Sequence, residues 1–81
     1  MMQLWGHPDC EACVQTEEWL GRTPLEWTLV NVGDLNPPFE GEIPRLVLEG
    51  GKNIIGIVAI KQFAKQELEK MGMRPIDFGI N

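Results

Sequence analysis

His7-Pro8-Asp9-Cys10-Glu11-Ala12-Cys13 decides how this chain folds, because it joins a short apolar run, Met2-Gln3-Leu4-Trp5, to a helical pattern that continues to Leu20. Cys10 and Cys13 are the only two cysteines among 81 residues, and they stand in Cys-x-x-Cys spacing at a strand-to-helix junction. At that junction the first amides of a helix lack partners within it, so a thiolate at Cys10 is favoured over the thiol. Cys13 lies one turn further in and is more covered. Thiol–disulfide exchange needs that asymmetry, because one sulfur attacks an outside disulfide and the other releases the mixed adduct.

Two other readings of the pair are weaker. A bridge closing so short a loop removes only about 2 kcal/mol of unfolded-state entropy, against about 4 for a loop of half the chain, so it is poorly placed as a staple. Zinc would find at most the two thiolates and His7, with no second Cys/His pair to complete a four-coordinate structural site. No metal site is expected.

Beyond Cys13, the residues Val14, Thr16, Trp19 and Leu20 form the stripe expected to lie on a sheet, with Gly21 closing the helix and Glu17 and Glu18 facing water. Pro24 restarts the chain. Leu25-Glu26-Trp27-Thr28-Leu29-Val30-Asn31-Val32 reads as a second strand, parallel to the first in a right-handed unit. Residues 33–42 read as a loop, since the paired Pro37-Pro38 forbids helix across its middle. Ile43-Pro44 leads into the strand Arg45-Leu46-Val47-Leu48-Glu49, and Gly50-Gly51 signals a two-residue hairpin to Lys52-Asn53-Ile54-Ile55. After Gly56, the apolar Ile57, Ile60, Phe63, Ala64, Leu68 and Met71 recur at helical steps, and Gly72 is the expected stop. Residues 73–81 show no period, and a tail packed by Ile76 and Phe78 is expected.

Length and charge set the frame. A single domain spanning 1–81 is expected, with its core in 1–72 and a tail over 73–81; a chain this size buries about 60–65 % of its unfolded surface. A net charge of −5, with few and scattered basic residues, argues against nucleic acid or an anionic membrane as partner. No apolar run spans a bilayer and no signal peptide is read at the start, so a cytoplasmic monomer is expected. In a reducing compartment a cysteine pair at this spacing is catalytic more often than structural.

Taken together, Leu4-Trp5-Gly6-His7-Pro8-Asp9-Cys10-Glu11-Ala12-Cys13-Val14, Ile43-Pro44-Arg45-Leu46-Val47 and Gly51-Lys52-Asn53-Ile54-Ile55-Gly56 resemble the glutaredoxin and NrdH-type redoxin branch of the thioredoxin fold. The resemblance covers residues 1 to 72 in order of elements. It implies an α/β fold: a minimal thioredoxin/glutaredoxin-like, four-stranded mixed sheet in order 2-1-3-4 with two main helices, the family's second helix being replaced by the loop. It further implies a cis Ile43–Pro44 bond, with the backbone of Ile43 pairing with substrate as an added strand. Cys10 would then be the attacking thiolate and Cys13 the resolving sulfur, with His7, Pro8, Ile43, Pro44, Arg45, Gly56 and Ile57 around the substrate.

What the resemblance implies in function is a small dithiol oxidoreductase with no bound cofactor. It would reduce a disulfide-containing protein substrate, such as a ribonucleotide reductase, and be recharged by glutathione or a flavoprotein reductase. Glutathione users of the family carry a second glycine, a polar residue and Asp after the last strand, where this chain reads Ile55-Gly56-Ile57-Val58, and often Lys where it has His7. Both departures weaken a glutathione assignment. Asp9 and Glu11 oppose the helix terminus at Cys10, which points to a reductant rather than an oxidant. The competing classes are a non-catalytic thioredoxin-fold binding module, whose acidic face docks a basic partner, and a metal or cluster carrier.

Overall fold

Met2–Gly6, the run that delivers the chain to the cysteines, forms strand β1 and lies inside the sheet. The structure, a computed structural model, describes residues 1–80. After β1 come helix α1 (Glu11–Leu20), β2 (Trp27–Asn31), a 3-10 turn (Val32–Asp34), β3 (Arg45–Val47), β4 (Asn53–Ile55), helix α2 (Ile57–Lys70) and a second 3-10 turn (Pro75–Phe78). The sheet is mixed, in the order β2-β1-β3-β4, with β1 parallel to β2 and antiparallel to β3, and β3 antiparallel to β4. Fold class and strand order are those expected.

Register decides which residues make the core. Leu4 stands opposite Leu46, and Leu46 opposite Ile54, so the alternation of the strands aims these side chains at one face. Both helices cover that face, where Leu4, Trp19, Leu20, Leu46, Ile60, Ala64, Leu68 and Ile80 form the buried cluster. In α1 the covered positions are Cys13, Thr16, Trp19 and Leu20, a clean helical stripe. Val14, expected in that stripe, is 38 % exposed. Docking of α1 on the sheet gives the inward place to the Cys13 sulfur, which behaves there as a small apolar side chain. Thr16 is fully buried at no polar cost, since its hydroxyl donates to the Ala12 carbonyl at 2.7 Å. Gly21 ends α1 as expected, but in a right-handed conformation; the terminal carbonyl of Leu20 instead accepts from the Thr23 amide and hydroxyl, just ahead of Pro24.

Among the described residues the opposite face of the sheet carries no helix. Here the loop expected between the second and third strands folds back, its Phe39 amide donating to the Val32 carbonyl at 3.1 Å. The Phe39 ring meets Trp5 edge-on at 5.2 Å, and the Arg45 guanidinium lies 4.9 Å from its centroid. One aromatic side chain therefore stands where a helix would otherwise pack. The strand β2 is shorter than read, because Val32 already turns into the 3-10 segment and is buried there. The loop holds a second cis peptide, Asn36–Pro37, beside the expected Ile43–Pro44.

The hairpin is one residue wider than expected. Leu48 still pairs with Lys52 through its amide at 2.8 Å, so Glu49, Gly50 and Gly51 all lie in the turn, and both glycines take φ of +91°. Helix α2 ends on Gly72 at φ +77°, with the Gly72 amide on the Glu69 carbonyl and the Met73 amide on that of Leu68. Met71, read as part of the apolar face, is 49 % exposed because the chain has already left the helix there. Past that stop the tail differs from expectation: Ile76 is 63 % exposed, Phe78 packs against the core, and Ile80 is buried in it. The Arg74–Asp77 pair braces this last turn and holds the Asp77 carboxyl below its usual range. Its contribution is present above the ordinary carboxylate range and is lost as acid protonates Asp77.

Candidate active site

A backbone rule puts the first cysteine where it is. His7 accepts from the Cys10 amide at 3.0 Å, closing a turn that stops the strand, and Cys10 then takes the extended N-cap conformation of α1. Its sulfur accepts from the Cys13 amide at 3.2 Å, as a capping oxygen would. Cys10 and Cys13 are joined in a disulfide with a Cα separation of 5.2 Å. Cys10 is partly exposed, whereas Cys13 is 4 % exposed. The asymmetry expected from the spacing is therefore present in the fold.

Topology gathers the other residues at the same end of the sheet. The C-terminal ends of β1 and β4, the N-terminal end of β3 and the first turns of both helices all meet there. Pro44 is buried, and its carbonyl accepts from the Gly56 amide at 2.9 Å, extending the β3–β4 ladder by one rung toward the disulfide end. Gly56 has φ +93°, open to glycine and strained for other residues, and lets the chain turn directly into α2. Ile43 is half-buried, and among the described residues its backbone makes no hydrogen bond. Arg45 points elsewhere: its guanidinium is taken by the Glu42 carbonyl and the Phe39 ring on the helix-free face. Ile57 packs against the core.

Next to the buried sulfur lies a cavity of about 170 Å³, lined by Leu4, Gly6, His7, Pro8, Cys13, Glu17, Leu29 and Asn31. His7 and Pro8 thus border Cys13 rather than only the exposed sulfur. The Asp9 amide donates to His7 Nδ1 at 3.1 Å, which leaves the ring proton on Nε2. The Asp9 carboxylate is further away, at 3.7 Å, and its side chain is 93 % exposed, so its field at the sulfurs is screened by water. Glu17, read as facing water, is exposed as expected, and it also borders this cavity. The signal that finds it is simple: it follows Cys13 by four residues and so shares its helix face.

Gly6 makes the close approach of strand to disulfide possible. A Cβ added there would stand 3.0 Å from Cys13 Cβ and 3.2 Å from its sulfur. Gly6→Ala is expected to cost about 1–3 kcal/mol by overpacking, read by denaturant unfolding of the oxidised protein. Unchanged stability would show that the disulfide yields freely.

Among the described residues no three His, Cys, Asp or Glu side chains gather as a metal would require. Among the same residues no helix is long and apolar enough to cross a membrane. A four-stranded sheet in this order, two helices and a Cys-x-x-Cys disulfide at a helix N-terminus are consistent with a thioredoxin-like fold. Compared with protein-family models, with curated proteins and with solved structures, the chain gives no match.

Proposed function

We propose that the chain is a small dithiol thiol–disulfide oxidoreductase, a glutaredoxin-like redoxin of the cytoplasm that reduces protein or mixed disulfides. The observation that carries this reading is the pairing of a partly exposed Cys10 at the N-cap of α1 with a covered Cys13. In the reduced chain the Cys10 thiolate attacks one sulfur of a substrate disulfide, and the other substrate sulfur leaves as a thiolate. Cys13, deprotonated, then attacks Cys10 Sγ, closes the internal disulfide and expels the second substrate thiolate. Two electrons pass to the substrate.

The free backbone of Ile43 beside the buried Pro44 supports docking of an extended substrate segment as an added strand. Val14 and Val58, on the first turns of α1 and α2, are 38 % and 71 % exposed, which suits a protein partner better than a lone tripeptide. The same apolar exposure favours a second reading, a binding module that keeps the fold without the chemistry.

Positions 57 and 58 offer Ile and Val, without a side-chain oxygen to hold a γ-glutamyl end. A flavoprotein reductase is therefore the preferred electron donor and glutathione the lesser one. The test supplies NADPH with a disulfide substrate and either glutathione plus its reductase or a thioredoxin reductase. Faster NADPH consumption with thioredoxin reductase than with glutathione and its reductase is expected. Turnover with neither donor would leave only the binding module.

A further inference from the structure

Resolution by Cys13 poses a problem that exposure of Cys10 does not solve. Cys13 is 4 % exposed in the disulfide, burial disfavours a thiolate over a thiol, and the reduced sulfur must lose its proton before it can attack. The cavity of about 170 Å³ beside Cys13 has room for several waters and is walled by β1, the active-site turn, α1 and β2. Among its lining residues only Cys13, His7 and Glu17 titrate.

His7 is not available as the acceptor. Its Nδ1 already accepts from the Asp9 amide, and its Nε2 carries the ring proton. Glu17 remains, one turn along α1 from Cys13 and on the same face, with a carboxylate that makes no hydrogen bond or ion pair among the described residues. Asn31, across the cavity on β2, has its Oδ1 taken by the Gly33 amide at 2.9 Å, which leaves its side-chain NH2 to donate to a water entering the cavity.

Resting on the redox reading above, we infer that Glu17 is the proton acceptor for Cys13, acting through water in this cavity. In the resolving step the Cys13 S–H proton passes through water to the Glu17 carboxylate. The thiolate so formed attacks Cys10 Sγ, and the substrate sulfur departs with the electron pair of the broken bond. The proton then leaves Glu17 for solvent or for the departing thiolate. On reduction of the internal disulfide by an outside thiol the path runs in reverse, with protonated Glu17 returning a proton to Cys13.

Chemistry of sign separates this role from mere proximity. A nearby carboxylate that only repels the Cys13 thiolate would slow resolution, and its removal would speed it. A proton acceptor does the opposite. The reduced protein is mixed with an aromatic disulfide reagent whose released thiol absorbs visible light, between pH 5.5 and 9. The first release reports attack by Cys10, and the second reports resolution by Cys13. Glu17→Gln is expected to slow the second release at neutral pH by about tenfold or more, within the range of positioned general bases, and to leave the first within twofold. Its deficit should shrink as hydroxide takes over at high pH, and Glu17→Asp should recover most of the rate. A second release unchanged or faster in Glu17→Gln, or both releases slowed alike, overturns the inference. Absence of even the first release in the unaltered protein would instead overturn the redox reading on which it stands.

Discussion

On the proposed redox function, Cys10→Ser is expected to lower disulfide-reduction turnover on the order of a thousandfold or more, because a serine hydroxyl at neutral pH is neither ionised nor able to form a disulfide. The fold should survive the change. Serine is a preferred N-cap residue, so its hydroxyl takes over the bond from the Cys13 amide that the sulfur accepts at 3.2 Å. Loss of the internal bridge costs only about 2 kcal/mol of loop-closure entropy. Cys13→Ser gives the complementary result. Attack by Cys10 still occurs, nothing resolves the adduct, and the protein accumulates covalently bound to its substrate, which intact-mass measurement detects. A binding module would behave otherwise, with both serine variants retaining partner affinity and neither trapping an adduct.

The second large effect lies far from the sulfurs. Ile80→Ala is expected to destabilise the protein by about 2–5 kcal/mol, since it empties a fully enclosed position. A chain of 81 residues has roughly 4–12 kcal/mol of stability to lose, so the variant should unfold partly at physiological temperature. The side chain reaches the core through a specific path. Gly72 stops α2, the Pro75–Phe78 turn reverses the chain, and the Ile80 amide bonds back to the Pro75 carbonyl at 3.2 Å. Denaturant midpoints of Ile80→Ala and of Ile76→Ala measure the contrast, the latter being near neutral because Ile76 is 63 % exposed. Equal effects at the two positions would contradict the described packing.

Much of this was legible in residues alone, for definable reasons. Short-range chemistry speaks plainly: Cys-x-x-Cys after an apolar run, a proline before Arg45, a Gly-Gly turn and a long helical period each have few structural solutions. Sheet order followed from the resemblance they carry together. What escaped was settled by neighbours distant in sequence. Val14 and Cys13 are both small and apolar, and only docking of α1 on β1 decides which one turns inward. The tail has apolar residues at 76, 78 and 80 with no period to choose among them, and the reversal at Pro75 selects Ile80. Glu17 looked like an ordinary solvated acid. Its cavity is closed from across by Leu29 and Asn31 of β2, a neighbour distant in sequence that no local pattern announces.

The run of the chain also sorts its extremities. Met1 is tied to Glu49 at the hairpin, and Gly79 lies near Arg22, just past the end of α1, so both stand at the pole that the sulfurs do not occupy. An attachment at either extremity, whether a surface anchor or a fused neighbour, would leave the reactive pole facing outward and unobstructed.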